Sequence, residues 1–88
     1  MKFILLAKFR HRLTQANTNK TDEIIKANPQ VKVISMNWVL GRYDGVVIAE
    51  APNEDAWLKF VEPLGDYVTT ETLVAIPRDR VMKIIEHR

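Results

Sequence analysis

Two side chains in this sequence could take part directly in acid–base chemistry. His11 could act as a general base, because histidine is the side chain that changes charge near neutral pH. Asp44 follows Tyr43 in the turn at residues 41–45 and could serve as a base or hold a polar ligand. A simpler interpretation is also available: a loop histidine between two arginines is exposed, and a turn aspartate binds backbone amides. His11 and Asp44 are therefore the catalytic candidates, and the sequence leaves open whether the protein is an enzyme.

A second group of candidates consists of polar or amphipathic side chains on predicted strands. Trp38 could bury its ring against a partner sheet while its indole N–H finds an acceptor. Asn37, Thr70 and Thr72 share strand faces with valines, where polar groups need partners or water, so they could line a wet pocket. They could equally lie at a solvated edge or at a subunit seam. The predicted ligand-binding residues are Trp38, Tyr43, Asp44, Asn37, Thr70 and Thr72.

Composition excludes several classes of site. The chain has no cysteine, which rules out disulfides and thiolate metal sites, and its two histidines lack metal-ligand spacing. It contains neither a glycine-rich phosphate loop nor a nucleophile elbow. We therefore expect no metal and no cofactor. No stretch approaches the roughly 20 apolar residues that span a bilayer, so we expect a cytoplasmic protein without a membrane partner.

The net charge of +2 conceals an uneven distribution along the chain. Residues 1–32 carry seven Lys or Arg against two acids, whereas residues 43–71 carry seven acids against Lys59 alone. Such asymmetry can indicate nucleic-acid binding, but complementary segments also pair within a fold or across a dimer. The central strands are aliphatic and carry no aromatic ribonucleoprotein motif, so we favour the second interpretation and expect no nucleic-acid partner.

Hydrophobic patterns predict four strands and three helices in one domain covering residues 1–88. The first helix lies within residues 14–27, with Thr14 or Thr21 as its cap. Only Thr21–Ala27 is well supported, because residues 15–20 are poor helix formers. The second helix opens at residues 52–55 and ends at Gly65, and a short third helix starts at Pro77. The predicted strands are residues 2–9, 31–40, 45–51 and 67–76.

The turn at residues 41–45 makes strands two and three antiparallel neighbours. Its glycines are expected to serve backbone geometry, one by permitting positive φ and the other by allowing close approach of a neighbouring backbone. The resulting order, β-α-β-β-α-β plus a terminal helix, is the ferredoxin-like arrangement of the α+β class, with a four-stranded antiparallel sheet.

Strand composition predicts which strands are central. Ile4-Leu5-Leu6-Ala7 and Val46-Val47-Ile48-Ala49 are apolar on both faces, as expected of strands one and three at the centre of the sheet, whereas strands two and four alternate like edges. Two helices cover only one face of such a sheet. The simplest cover for the other face is an identical sheet, which gives a homodimeric α/β barrel.

The segments Leu40-Gly41-Arg42-Tyr43-Asp44, Val47-Ile48-Ala49-Glu50-Ala51-Pro52 and Thr70-Glu71-Thr72-Leu73 resemble the GYD-domain family over roughly residues 38–76. That resemblance implies a small dimeric α/β barrel and no particular activity. The same turn, with Asn28-Pro29-Gln30-Val31, is similar to the ligand-sensing domain of leucine-responsive (feast/famine) regulators, which implies amino-acid binding at subunit interfaces. Cofactor-free monooxygenases share the barrel.

These observations favour a small homodimeric protein, or a higher oligomer, that binds a small molecule at a barrel or subunit-interface cavity in a regulatory role. The alternative is a cofactor-independent enzyme, monooxygenase- or isomerase-like, that would use His11 or Asp44. A purely structural or interaction role is the third hypothesis.

Overall fold

The computed structural model describes residues 1–87 of the 88 and confirms the predicted ferredoxin-like α+β arrangement. One four-stranded sheet has the order β2-β3-β1-β4, and every neighbouring pair is antiparallel. The strands lie within two residues of their predicted bounds. The elements are β1 (Lys2–Phe9), α1 (Gln15–Ala27), β2 (Lys32–Trp38), β3 (Gly45–Glu50), α2 (Glu54–Val61), a 3₁₀ turn (Glu62–Asp66), β4 (Val68–Ala75) and α3 (Arg78–Glu86).

The two central strands are β1 and β3, as their apolar composition predicts. Their alternate side chains point to opposite faces. On the helix-covered face, Leu5 is 1% exposed and Ala49 0%. On the opposite face, which we call the open face, Ile4 and Ile48 are register partners and are only half-buried. The chain therefore covers one face of its sheet much better than the other.

Strand β2 does not keep the simple alternation that the sequence predicts. A β-bulge lies between Val33, which pairs with Ala49, and Ser35, which pairs with Ile48. The extra residue shifts the strand by one position relative to its neighbour. Val33, Met36 and Trp38 consequently lie on the helix-covered face, and Ser35 and Asn37 lie on the open face. Trp38 therefore does not occupy the face to which a second sheet was expected to bind.

Helix α1 fills the predicted range of residues 14–27, and its cap is Thr14, the earlier of the two candidates, so the helix includes residues 15–20 as well as the well-supported residues 21–27. Thr14 forms a capping box with Asn17: the Thr14 hydroxyl accepts from the Asn17 N–H at 3.2 Å, and the Asn17 Oδ1 accepts from the Thr14 N–H at 3.1 Å. These bonds satisfy backbone donors that a free helix end would leave unpaired. Buried Ile24 anchors the far end of the helix in the core. Capping and packing together outweigh the weak helix propensity of residues 15–20.

Helix α2 begins and ends for identifiable reasons. The Asn53 side chain caps it by accepting from the Ala56 N–H at 2.9 Å, and Glu54 and Asp55 place negative charge in the first turn. The α-helix stops at Val61 instead of reaching Gly65. Pro63 has no N–H to continue the ladder of α-helical hydrogen bonds, so the chain tightens into the 3₁₀ turn.

The core lies between the helix-covered face and the two helices. Phe3 and Trp57 stack with ring centroids 4.7 Å apart, and Phe60 lies 5.4 Å from Trp57. The Trp57 indole N–H donates to the Thr72 hydroxyl at 3.0 Å, so this large ring has a partner for its one polar atom. Trp57 is thus a core residue that joins α2 to the sheet.

Helix α3 stands apart from this core. None of its residues is buried, and Val81, Ile84 and Ile85 are exposed. The radius of gyration is 14.8 Å, whereas a compact domain of this length has about 12 Å. A helix that extends from the body explains this difference. No helix within residues 1–87 is long and apolar enough to cross a membrane.

The turn between β2 and β3 uses one of its two glycines as expected. Gly41 has a φ of +152°, a conformation that side-chain-bearing residues rarely adopt. Gly45 lies where a Cβ atom would meet the Asn37 carbonyl oxygen at 3.7 Å and the Ala7 Cβ at 3.9 Å. Both are ordinary van der Waals distances, so the first glycine serves conformation, whereas the prediction that the second is needed for close approach was wrong.

Replacing Gly41 by alanine should destabilise the protein although its Cβ would meet no atom within 4 Å. We expect Gly41→Ala to lower the free energy of unfolding by about 1–3 kcal/mol, the cost of holding an ordinary residue in a glycine conformation. Gly65→Ala is the matched control, because its Cβ also meets open space but its φ is not in that region. Urea denaturation of both variants measures the difference, and equal stability would contradict the explanation.

Candidate functional site

A cavity of about 300 Å³ lies between α1 and the helix-covered face of the sheet. Its floor comes from the central strands and includes Leu5, Ala7, Gly45 and Val47. Ala7 and Gly45 are register partners across β1 and β3. Because one has only a methyl group and the other no side chain, the floor is hollow at this pair. The cavity therefore follows from two small residues placed opposite each other.

Aromatic side chains supply much of the wall. Phe9 and Phe60 line the cavity from β1 and α2, and Tyr67 lines it from the position just before β4. Trp38 lies on the same wall at the end of β2, with its ring edge-on to Phe9 at 5.5 Å between centroids. It is 76% exposed, so its ring stands at the mouth of the cavity. Such walls suit a flat, largely apolar molecule.

The polar part of the wall belongs to α1. Thr18, Thr21 and Asp22 follow one another at helical spacing and line the cavity together. The Thr21 hydroxyl is hydrogen-bonded to the buried Tyr67 hydroxyl. This contact ties α1 to the residue just before β4 and places a cluster of hydroxyl groups at one side of a largely apolar cavity.

An ion pair fastens the same two segments outside the cavity. Lys20 binds Asp66 through its ammonium group and also lies over the Tyr67 ring, 5.8 Å from its centroid. The hydrogen bond to Asp66 raises the pKa of Lys20, and the same bond lowers the pKa of Asp66. Both groups are partly or largely exposed, so the pair orients α1 more than it stabilises the fold.

Asp44 bonds to the first strand and does not line the cavity. Its carboxylate accepts from the Phe9 N–H at 2.8 Å, and its own N–H donates to the Ala7 carbonyl at 2.9 Å. Its carbonyl in turn accepts from the Val39 N–H at 2.9 Å. Through these three bonds one turn residue joins β1 to the chain on both sides of the turn and holds Gly45 beside Ala7.

Tyr43 and His11 also lie away from the cavity. The Tyr43 hydroxyl donates to the Glu71 carboxylate, and this hydrogen bond raises the pKa of Tyr43. His11 is exposed, and its Nδ1 atom lies 2.9 Å from the Arg12 carbonyl oxygen. The structure therefore does not bring His11, Tyr43 and Asp44 together around one space.

Of the six residues predicted to bind a ligand, two line the cavity. Trp38 contributes its side chain, whereas Asn37 contributes main chain, since its register with Val46 places its side chain on the open face. Thr70 and Thr72 lie on the helix-covered face of β4, outside the cavity lining, and Thr72 accepts from Trp57. Ligand binding by Tyr43, Asp44, Thr70 and Thr72 stays a prediction.

Several cavity residues were not identified from the sequence. Thr18, Thr21 and Asp22 fall in or beside the segment judged a poor helix former, although the Thr14–Asn17 spacing was a signal for a capped helix. For Tyr67 the sequence predicts only a place in the strand at residues 67–76. The Ala7 and Gly45 pair gives no signal by itself, because its contribution is an absence of side-chain volume.

Comparison with known proteins identifies the family. The GYD domain model matches residues 7–85, so the chain belongs to the GYD domain family. The match extends beyond residues 38–76, which contain the segments that resemble the family, and includes α1 and most of α3. A search of curated proteins found no match.

The position of Asp44 predicts a structural effect of mutation. Asp44→Ala should lower the free energy of unfolding by about 1.5–3 kcal/mol, because the Phe9 N–H loses a charged acceptor in a partly buried place. Asp44→Asn keeps an acceptor oxygen and should cost less. Tyr43→Phe is the control, since it removes an exposed hydroxyl bond from the same turn and should change stability by less than about 0.5 kcal/mol. Chemical denaturation of all three measures the order, and a harmless Asp44→Ala would contradict it.

Proposed function

We propose that this GYD-domain protein is a homodimeric binding module that holds a small molecule in the cavity under α1 and serves a regulatory role. The observation that carries the proposal is the cavity itself. Its volume of about 300 Å³ is at the lower end of the 300–1,000 Å³ typical of ligand pockets. Its lining is mostly apolar and aromatic with a few polar groups on one wall, which is the composition of such pockets.

A binding role has more support than the enzymatic alternative. The two catalytic candidates, His11 and Asp44, are outside the cavity lining, and Asp44 is engaged with the Phe9 N–H. The pKa shifts of Lys20, Asp66 and Tyr43 arise from pairs outside the cavity. Perturbed groups that converge on a cleft are what would favour catalysis, and these three groups do not line the cavity.

The homodimer rests on the open face of the sheet. Ile4, Leu6, Val46 and Ile48 form an apolar patch on the two central strands, and no element of the described chain buries them fully. Exposed Leu73 extends the patch onto β4. Contiguous apolar surface of this kind marks an interaction site. A second copy of the chain brings an identical patch, so a twofold axis pairs the two patches without any other component.

The ligand proposal predicts that filling the cavity abolishes binding. Thr18 is exposed on α1 and lines the cavity, so in Thr18→Trp the indole should occupy ligand space while the helix remains intact. Glu23→Trp is the matched control, because it places the same ring on an exposed position of α1 outside the lining. The measurement is a thermal-shift panel of aromatic alcohols, amines and acids together with amino acids.

At least one class of compound in this panel should raise the melting temperature of the wild type and of Glu23→Trp but not that of Thr18→Trp. No stabilisation by any member of the panel would count against a binding module. Stabilisation that survives in Thr18→Trp would place the ligand elsewhere.

The dimer proposal predicts a change of mass on substitution of the open face. Ile48→Lys places a charge at the centre of the patch and should shift the protein toward the 10.2 kDa monomer. Leu58→Lys is the matched control, because Leu58 is also exposed but lies on α2. Sedimentation velocity at micromolar concentration measures both, with circular dichroism to verify folding. A wild-type protein that is itself monomeric would refute the homodimer.

A further inference from the structure

The hydroxyl groups on the α1 wall already donate their hydrogen bonds to other groups of the protein. The Thr21 Oγ1 lies 2.9 Å from the Asn17 carbonyl oxygen, and a carbonyl can only accept, so Thr21 donates its single hydrogen there. The bond between Thr21 and Tyr67 must therefore take its hydrogen from Tyr67. The Thr18 hydroxyl donates in the same way to the Thr14 carbonyl at 3.2 Å. What these three groups can still offer to the cavity is acceptor capacity.

Asp22 adds further hydrogen-bond acceptors to the α1 wall. Its side chain lines the cavity one helical turn after Thr18, and an ionised carboxylate accepts hydrogen bonds without donating any. Among residues 1–87, it is the one acidic or basic side chain of the lining. Lys20, the neighbouring cation on α1, is outside the lining and is bound to Asp66. The wall is therefore negative in charge and rich in acceptors.

Side-chain donors are scarce on the other walls. The indole N–H of Trp38 belongs to a ring at the exposed mouth, not to the interior. The Asn37 amide lies on the open face of the sheet. The remaining lining residues of the described chain are apolar, apart from Gly45. A ligand acceptor in the interior would thus lose its hydrogen bonds to water without replacement, which costs free energy.

We infer that the cavity selects a compact aromatic molecule that carries a hydrogen-bond donor, a hydroxyl or an amino group, and that it rejects carboxylates. This inference rests on the proposed function, because it specifies the ligand class of the same cavity. The donor would bind the acceptors of Tyr67 and the α1 threonines, and the ring would pack among Phe9, Phe60 and the mouth residue Trp38. Rejection of anions follows from Asp22 and from the lack of interior donors.

Four naphthalenes of nearly equal size test the inference: 2-naphthalenemethanol, 2-naphthylmethylammonium, 2-naphthoate and 2-acetonaphthone. They differ in whether the substituent is a neutral donor, a cation, an anion or an acceptor alone. Isothermal titration calorimetry on the full chain should give dissociation constants for the alcohol and the ammonium at least tenfold lower than for the other two. If naphthoate binds as tightly as the alcohol, the inference is overturned while the binding module stands.

Two substitutions assign the selectivity to named groups. Asp22→Asn should tighten naphthoate binding and weaken ammonium binding, whereas Glu23→Gln makes the same charge change on α1 outside the lining and should do neither. Tyr67→Phe should weaken alcohol binding by about fivefold, the worth of one hydrogen bond, and leave acetonaphthone unchanged. Equal effects of Asp22→Asn and Glu23→Gln would overturn the role of Asp22.

Failure of all four compounds to bind would overturn the ligand class. The broad thermal-shift panel with Thr18→Trp then decides separately whether the cavity binds a ligand of another class. The two proposals can therefore fail independently.

Discussion

Ala7 and Gly45 pair across the two central strands, and neither brings side-chain bulk to the helix-covered face. This pairing depends on register, because a slip of one residue would place Val46 opposite Ala7 and turn the Val46 side chain onto the helix-covered face. Asp44 holds the register with bonds to both Ala7 and Phe9. The turn that contains it is therefore coupled to the cavity although it does not line it. A residue can shape a binding site by fixing which two small residues meet.

The second requirement is the first half of α1. The capping box at Thr14 starts the helix early enough for Thr18 and Asp22 to lie over the hollow floor. Were the helix to begin only at Thr21, Thr18 would no longer be held on the polar wall, and only Thr21 and Asp22 would remain there. The Thr21–Tyr67 bond then fixes the distance between this wall and the sheet. The hydroxyl groups that face the cavity are therefore the same ones that hold its wall in place. Because they donate their hydrogen bonds within the protein, they can only accept from a ligand.

The sequence was sufficient for the sheet and much less so for the site. Continuous apolar runs such as Ile4-Leu5-Leu6-Ala7 identify a central strand, because burial on both faces leaves no polar alternation. The bulge at Val33–Ser35 has no such signature, yet it decides that Trp38 faces the helices and Ser35 the open face. The start of α1 depended on two cap bonds that outweigh propensity summed over residues 15–20. The cavity arises because Gly45 has no side chain. Hydrophobic periodicity depends on the side chains that are present, so it gives no indication of such a space.

Strand β3 could couple the cavity to the open face, as the proposed regulatory role requires. Its alternate residues serve two surfaces: Gly45 and Val47 form the cavity floor, and Val46 and Ile48 belong to the open face. A ligand under α1 and a second subunit on the open face would therefore contact opposite sides of the same strand. Because the strand is close-packed, a change in its twist or position on one side must be accommodated on the other. Energetic coupling between two sites needs a shared element of this kind, whose arrangement both sites can bias. Strand β3 is such an element, because residues that face the cavity and residues of the open face follow one another along it.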